Sequence, residues 1–128
     1  MKPRHLALAA AMLLLGTLDA PAADRFAYEA KAFAAAREAG KPVLVHVTAP
    51  WCGECKAQKP IVAALAQQPE YKDLAIFDVD FDTQKDALRA LNVQKQSTLV
   101  IYKDKAEVTR AVGITRREAI EAVMKKAL

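Results

Sequence analysis

The stretch Trp51-Cys52-Gly53-Glu54-Cys55-Lys56 decides how this chain is interpreted, because it holds both cysteines of the 128-residue sequence. Two cysteines at this spacing close only a small loop when they are joined, and such a loop constrains the unfolded chain little. Small exported domains that depend on disulfides for stability are rich in cysteine, and this chain is not. The stretch therefore indicates a reactive dithiol rather than a stabilising crosslink.

The residues on either side of the stretch predict a strand that leads into a helix. Val43–Thr48 is apolar and β-branched on both faces, as in a buried central strand. A helix is predicted from Cys52 to about Gln68, with Pro60 inside it as a kink. Backbone N–H groups at a helix start lack internal partners and favour an anion, so we expect a reactive thiolate at Cys52. Cys55 would lie one turn later, within bonding reach.

The rest of the sequence predicts three more helices and three more strands. The first helix is capped by Asp24, ends at Gly40 and has Phe26, Ala30, Phe33 and Ala34 on one face. A strand over Leu74–Phe81 and a short helix carrying Ala87, Leu88 and Leu91 follow the central strand and helix. Strands over Thr98–Tyr102 and Glu107–Val112 come next, and the capping box Thr115-x-x-Glu118 opens the last helix. The order α-β-α-β-α-β-β-α favours an α/β fold with a four-stranded mixed sheet flanked by helices. Its strand–helix–strand units would be parallel and its final hairpin antiparallel.

Residues 1–22 predict a secretory signal peptide. Met1–His5 is basic, Leu6–Leu18 is nearly uncharged and apolar, and Ala20–Ala22 supplies the small residues of an A-x-A cleavage site. The alternative is an uncleaved membrane anchor, but a span needs about 20 apolar residues and this run is shorter. We therefore expect cleavage after residue 22, a single domain over residues 23–128, a periplasmic or secreted location and no stable membrane insertion after cleavage.

The charge of the chain points to no particular macromolecular partner. The formal charge of +4 falls to +3 without the predicted signal peptide, which holds Lys2, Arg4 and Asp19. No run of Lys and Arg is dense enough to predict a nucleic-acid surface, so we expect no nucleic-acid partner. The pair Lys125-Lys126 suits the C-terminal end of a helix.

Three other interpretations of the cysteine pair are weaker. Tetrahedral zinc takes four ligands, and the only histidines are His5, in the predicted signal peptide, and His46, in a predicted strand. We therefore expect no metal and no cofactor. Two inert buried cysteines would be unusual at a strand-to-helix turn beside Trp51. A copper(I) chaperone that uses both thiols is the third alternative, and the chain lacks the methionine and histidine clusters that would favour it.

The motif Trp51–Lys56, with Pro60 after it, closely resembles the active site of the thioredoxin family. The resemblance extends from about Phe26 to the C-terminus and includes Gly113 before the last helix. The segment Gly40–Val43, after an alanine-rich helix, resembles the exported group related to the soluble domain of membrane electron-transfer disulfide reductases. This resemblance implies a thioredoxin-like fold, protein thiols and disulfides as substrates, and a membrane or exported electron donor.

By this resemblance Cys52 is the nucleophile, Cys55 is the resolving thiol, and Trp51 flanks the substrate groove. Gly53 and Glu54 lie between the cysteines, where residues contact the substrate or tune the thiols. Thioredoxins usually carry proline at the position of Glu54, and oxidants of the family often carry histidine. A carboxylate there disfavours the thiolate and favours a reductant. The alternative is that Glu54 is a solvated acid in the first helical turn.

Two further departures from the family concern the surroundings of the dithiol. His46 occupies the place of the family's buried aspartate, so it either accepts the proton of Cys55 or is a hydrogen-bonded core residue with no catalytic part. Ser97 stands at the family's cis-proline position, before Thr98. A cis bond before a non-proline residue costs about 2.5–4 kcal/mol, so we expect a trans peptide and a reshaped loop whose residues Ser97 and Thr98 contact the substrate.

These observations together predict a protein-disulfide reductase or isomerase of thioredoxin-like fold. The alternative within the same chemistry is an oxidant that donates disulfides to exported proteins. Glu54 argues against that alternative.

Overall fold

The computed structural model describes residue 16 and residues 19–128, so most of the predicted signal peptide lies outside the described residues. Within the described part of the chain, no helix is both long and apolar enough to span a membrane. The regular elements are β1 (Asp24–Ala27), α1 (Ala30–Glu38), β2 (Val43–Thr48), α2 (Gly53–Ala66), β3 (Ala75–Asp80), α3 (Lys85–Ala90), β4 (Thr98–Lys103), β5 (Ala106–Val112) and α4 (Arg117–Met124), with single 3-10 turns at Pro69–Tyr71 and Lys125–Ala127.

The strands form one mixed sheet in the order β1-β3-β2-β4-β5. Strands β1 and β2 both pair with β3 in parallel, while β4 runs antiparallel to β2 and to β5. The turn between β4 and β5 consists of Asp104 and Lys105, which both have a left-handed backbone with φ of 51° and 69°. The predicted α/β class, the parallel strand–helix–strand units and the antiparallel hairpin are therefore confirmed.

The prediction of four strands was wrong, because β1 adds a fifth strand at the edge of the sheet. The spacing of Phe26 and Phe33 fits a helical period, yet only Phe33 lies in α1. Strand β1 is held by backbone pairing to β3 and by Arg25, whose guanidinium donates to both carboxylate oxygens of Asp78 at 2.6 and 2.7 Å. Phe26 stays 47% exposed although its ring centroid lies 5.5 Å from that of Phe77. An exposed edge strand needs little alternation of apolar and polar residues. The helical spacing of Phe26 and Phe33 was therefore misleading.

Two predicted helix caps were also wrong. The N-cap of α1 is Glu29 rather than Asp24, and its side chain makes no capping hydrogen bond. The N-cap of α4 is Arg116, so the pattern Thr115-x-x-Glu118 is out of register by one residue and forms no capping box. A helix can begin without such a cap, because a cap contributes only about 1 kcal/mol.

Other helix boundaries follow the prediction. Gly40 follows α1 in the left-handed conformation, with φ of 74°, and its N–H donates to the carbonyl of Arg37 at 2.9 Å. Pro60 lies inside α2, which ends two residues before the predicted end. Lys125 and Lys126 directly follow α4.

The sheet separates two apolar layers. Alternate strand residues face α1 and α3 on one side of the sheet and α2 and α4 on the other. The first layer contains Val45, Phe77 and Val100. The second contains Leu44 and Ile76 from the strands, Val62 from α2 and Ile120 from α4. His46 lies two residues after Leu44 and therefore shares the face that α2 covers. This packing brings the C-terminal end of β2 and the first turn of α2 to the same edge of the sheet.

Candidate functional site

The two cysteines lie at the junction between β2 and α2. Cys52 is the N-cap of α2, and its sulfur accepts a hydrogen bond from the backbone N–H of Cys55 at 3.1 Å. The carbonyl of Cys52 accepts the N–H of Lys56 at 3.2 Å. The prediction that Cys52 stands at the start of this helix is therefore confirmed. The open amide of Cys55 in the first turn points at this sulfur, and the positive end of the helix favours negative charge there.

The cysteine pair is joined in a disulfide, with a Cα–Cα distance of 5.3 Å that suits such a bond. Cys52 keeps 3% of its surface exposed, whereas Cys55 is completely buried. Ala49 and Phe81 pack around the pair, and the sulfur of Cys55 lies 4.0 Å from the carbonyl oxygen of Val47. A molecule in solution therefore reaches the disulfide from the side of Cys52.

Trp51 forms one side of the opening to the disulfide. Its ring is 59% exposed and contacts Phe81 edge-on, with the ring centroids 6.3 Å apart. The indole N–H donates to the carboxylate of Asp82 at 3.0 and 3.1 Å from its two oxygens. The hydrogen bond fixes the ring position and leaves one large apolar face for contact with another molecule.

Glu54, in the turn between the two cysteines, lies beside Ser97 and Gly113. The hydroxyl of Ser97 donates to a carboxylate oxygen of Glu54 at 2.7 Å. Gly113 has φ of 74°, a backbone conformation that favours glycine, and a Cβ atom at that position would lie 3.0 Å from the same oxygen, which would have to shift slightly. Glu54 is exposed, as the solvated alternative expected, but it also has a partner that sequence analysis did not identify.

The loop before β4 has the trans peptide that was expected. The described residues contain no cis peptide bond, so the bond before Ser97 is trans, and Ser97 has φ of 57°. Ser97 and Thr98 are both buried, and the Thr98 hydroxyl donates to the carbonyl of Lys95 at 2.6 Å. Left-handed backbone is uncommon for a residue other than glycine, so neighbouring contacts must hold it.

His46 is a completely buried, hydrogen-bonded residue of β2. Its Nε2 lies 3.0 Å from the Oε1 atom of Gln58 in α2, and its Nδ1 lies 3.5 Å from the guanidinium of Arg25. Burial lowers the pKa of His46, the nearby charge of Arg25 lowers it further, and the hydrogen bond with Gln58 and the charge of Asp78 oppose that shift. The imidazole is therefore neutral at neutral pH. The suggestion that it accepts the proton of Cys55 stays a prediction.

Four residues of the site were not predicted from the sequence. The sequence placed Arg25 in a helix, Asp78 in a strand and Asp82 in a loop, and it predicted no partner for any of them. Their contacts join segments that are far apart in the sequence. Gln58 had a detectable signal, since it falls on the same buried stripe of α2 as Cys55 and is the one uncharged polar residue there. A polar residue at an apolar position of a helix indicates a buried hydrogen bond.

Metal ligation at this site would depend on the two sulfur atoms. Among residue 16 and residues 19–128, no group of three or more His, Cys, Asp or Glu side chains is placed to hold a metal ion. His46 is directed to Gln58 and Arg25 rather than to the cysteines.

Comparisons with known proteins agree with this geometry. The family model described as Thioredoxin matches residues 25–126. The chain is 34% identical over 91 residues to Thioredoxin H-type of Fagopyrum esculentum, which covers 71% of this chain and 77% of that protein. It is 33% identical over 89 residues to Thioredoxin Asp f 29 of Aspergillus fumigatus, with 70% and 80% covered. The crystal structure of Trxlp from Edwardsiella tarda EIB202 matches with a TM-score of 0.76 at 42% identity, covering 77% of this chain and 96% of that one. The predicted fold is confirmed.

Replacing His46 by asparagine should weaken the pH dependence of the free energy of unfolding. Because burial lowers the pKa of the folded histidine, the unfolded chain binds a proton first as the pH falls below about 6.5. The wild-type protein therefore loses stability below that pH through this group, by at most about 1.4 kcal/mol per pH unit.

Urea unfolding of the wild type and His46→Asn between about pH 5 and about pH 8 measures this effect. The charged groups near the imidazole are Arg25, Asp78 and Lys59, and they are unchanged in the variant. The stability difference between the two proteins should shrink as the pH falls. A difference that is constant over the whole range would contradict a neutral buried His46.

Proposed function

Because this chain belongs to the thioredoxin family of thiol–disulfide oxidoreductases, we propose that it reduces or isomerises disulfides of exported proteins, with Cys52 as the attacking and Cys55 as the resolving sulfur. One observation carries the proposal: the N–H of Cys55 donates to the sulfur of Cys52 at the start of α2. That contact stabilises the Cys52 thiolate, which is the nucleophile of disulfide exchange. The complete burial of Cys55 fits the second, internal step.

The reaction proceeds in two exchanges. The Cys52 thiolate attacks one sulfur of a substrate disulfide, forms a mixed disulfide and releases the other substrate sulfur as a thiolate, which takes up a proton. Cys55 then loses its proton and attacks the sulfur of Cys52, which re-forms the Cys52–Cys55 disulfide and releases the second substrate thiol. The substrate gains two electrons and the protein loses two. In isomerisation, a substrate thiolate attacks the mixed disulfide instead.

The substrate chain lies, in this proposal, between Trp51 and the loop of Ser97 and Thr98. The exposed indole face offers apolar contact on one side. On the other side the Ser97 loop, whose hydroxyl and carbonyl bond within the protein, would contribute the shape of its surface. Gly53 has no side chain, and the space where its Cβ atom would lie is open. Access over Gly53 leaves room for a substrate backbone above Cys52.

Glu54 supports reduction rather than oxidation as the direction of exchange. Its carboxylate lies in the first turn of α2, and the hydrogen bond from Ser97 holds it in place. Negative charge close to Cys52 destabilises the thiolate of the reduced protein and so favours the oxidised protein. A protein whose oxidised form is favoured is a better electron donor.

The export part of the proposal is supported by the order of residues 1–22 and by where the fold begins. Ala23 donates its N–H to the carbonyl of Ala66 at 3.0 Å, and Asp24 donates to Leu74 at 3.1 Å. The domain after residue 22 thus has its own hydrogen-bonded beginning. An exported reductant would work in an oxidising compartment, so its dithiol would need a membrane or exported electron donor.

Replacing either cysteine by alanine should reduce the turnover of a protein disulfide such as insulin, with dithiothreitol as donor, to the uncatalysed rate. Cys55→Ala should in addition accumulate mixed disulfides through Cys52, because the resolving thiol is missing. Mass spectrometry without reductant detects these adducts. Adducts on Cys55 in Cys52→Ala, with none in Cys55→Ala, would reverse the two roles.

Replacing Glu54 by glutamine should make the reduction potential less negative by about 10–20 mV, since a first-turn charge contributes less than about 1 kcal/mol. The wild-type potential should lie nearer to about −270 mV than to about −120 mV. Equilibration with glutathione measures both values. Glu70→Gln, in the 3-10 turn after α2, is the matched control and should leave the potential unchanged. A wild-type value near about −120 mV would contradict the direction proposed.

Expression of the full chain in a Gram-negative host should yield periplasmic protein whose N-terminus is Ala23. The measurement is N-terminal mass determination after cell fractionation, with a chain that starts at residue 23 as the control that stays in the cytoplasm. Membrane-bound protein that keeps residues 1–22 would favour the anchor instead.

A further inference from the structure

Gln58 is a buried amide that connects the centre of the sheet to two loops at the active site. Its Nε2 donates to the carbonyl of Ser97 at 3.1 Å and to the carbonyl of Ile114 at 2.9 Å, while its Oε1 lies 3.0 Å from Nε2 of His46. Gln58 and His46 are both completely buried. Each donor of this amide therefore has a partner in a region where an unpaired polar group is costly.

The three contacts fix the orientation of the amide and the tautomer of the histidine. Backbone carbonyls only accept hydrogen bonds, so the NH2 end of Gln58 must face Ser97 and Ile114. The Oε1 atom then faces His46, whose Nε2 must carry a proton and donate it. In the neutral ring Nδ1 is left as an acceptor, and it lies 3.5 Å from the guanidinium of Arg25.

Ser97 depends on these contacts more than a proline at the same position would. Proline has a fixed φ near −65°, whereas Ser97 is held at 57° by its neighbours. Its carbonyl accepts from Gln58 and from the N–H of Gly113 at 3.0 Å, and its hydroxyl donates to Glu54. Glu54 lies between the two cysteines, so this loop is joined to the turn that carries the dithiol.

We propose that Gln58 is a positioning residue, whose amide is oriented by His46 and holds the Ser97 carbonyl so that the loop beside Cys52 keeps one conformation for a protein substrate. The inference rests on the proposed function and adds to it a residue that determines how protein substrates are bound. The hydrogen bonds of Gln58 go to Ser97, Ile114 and His46. It acts through the position of Ser97.

The test compares a protein disulfide, insulin, with a small aromatic disulfide that needs no backbone partner, Ellman's reagent. Gln58→Met keeps the side-chain length and removes all three hydrogen bonds. It should raise KM for insulin about tenfold, because two of the three, those donated to the loop carbonyls of Ser97 and Ile114, hold the loops in place and are of modest strength. The rate with the small disulfide should stay within about twofold, because the helix start at Cys52 is unchanged.

Gln67→Met is the matched control, because Gln67 is the exposed C-cap at the far end of the same helix. It should change neither rate. An equal loss with both disulfides in Gln58→Met, or a KM for insulin equal to that of the wild type, would overturn the proposal. Gln58→Glu keeps the acceptor for His46 but loses both donors, so it serves in the same comparison if the methionine variant does not fold.

A second measurement does not depend on turnover. Nitrogen-15 NMR of the wild-type protein should show His46 protonated at Nε2 and unprotonated at Nδ1, and amide exchange at Gly113 should be faster in Gln58→Met than in Gln67→Met. A proton on Nδ1, or unchanged exchange, would overturn the inference even if both disulfides are reduced. If the wild type reduces neither disulfide, the proposed function fails, and these two observations still decide how Gln58 positions the loop.

Discussion

The hydrogen bond from the Cys55 N–H to the Cys52 sulfur is the contact on which the rest of the site depends. It exists only because Cys52 is the N-cap of α2, and α2 starts there because the buried strand β2 ends just before it. Strand β2 lies at the centre of the sheet between β3 and β4, so its end cannot move without disturbing the whole core. The stability of the sheet thus maintains the reactivity of one sulfur atom.

Polar side chains inside the core form the second part of this arrangement. Proline would restrict the loop beside the dithiol covalently. Ser97 is restricted instead by hydrogen bonds that Gln58 and Gly113 donate to its carbonyl and by the one that its hydroxyl donates to Glu54. Hydrogen bonds can be exchanged or lost, so the loop becomes sensitive to its neighbours in a way that a proline loop is not. His46 belongs to the same network, which links the centre of the sheet to the opening at Cys52.

Local pattern was enough to predict α2, the cysteine pair at its start and the hairpin of β4 and β5, because each depends on neighbouring residues and on apolar spacing. It was not enough for β1, whose pairing with β3 joins segments far apart in sequence and whose Arg25 finds its partner only in the folded sheet. The partners of Glu54 and Gln58 were missed for the same reason, although Gln58 stood out on an apolar stripe. The two predicted helix caps were wrong, because a cap contributes too little to decide where a helix in a packed domain begins.

Brief alkylation of the reduced protein with iodoacetamide, followed by peptide mapping, compares the reactivity of the two sulfur atoms. A sulfur at the helix start that faces the opening should react, while a completely buried neighbour should not. We therefore predict that nearly all of the label is on Cys52 at neutral pH. Preferential labelling of Cys55, or no labelling of either cysteine until the protein is unfolded, would contradict it.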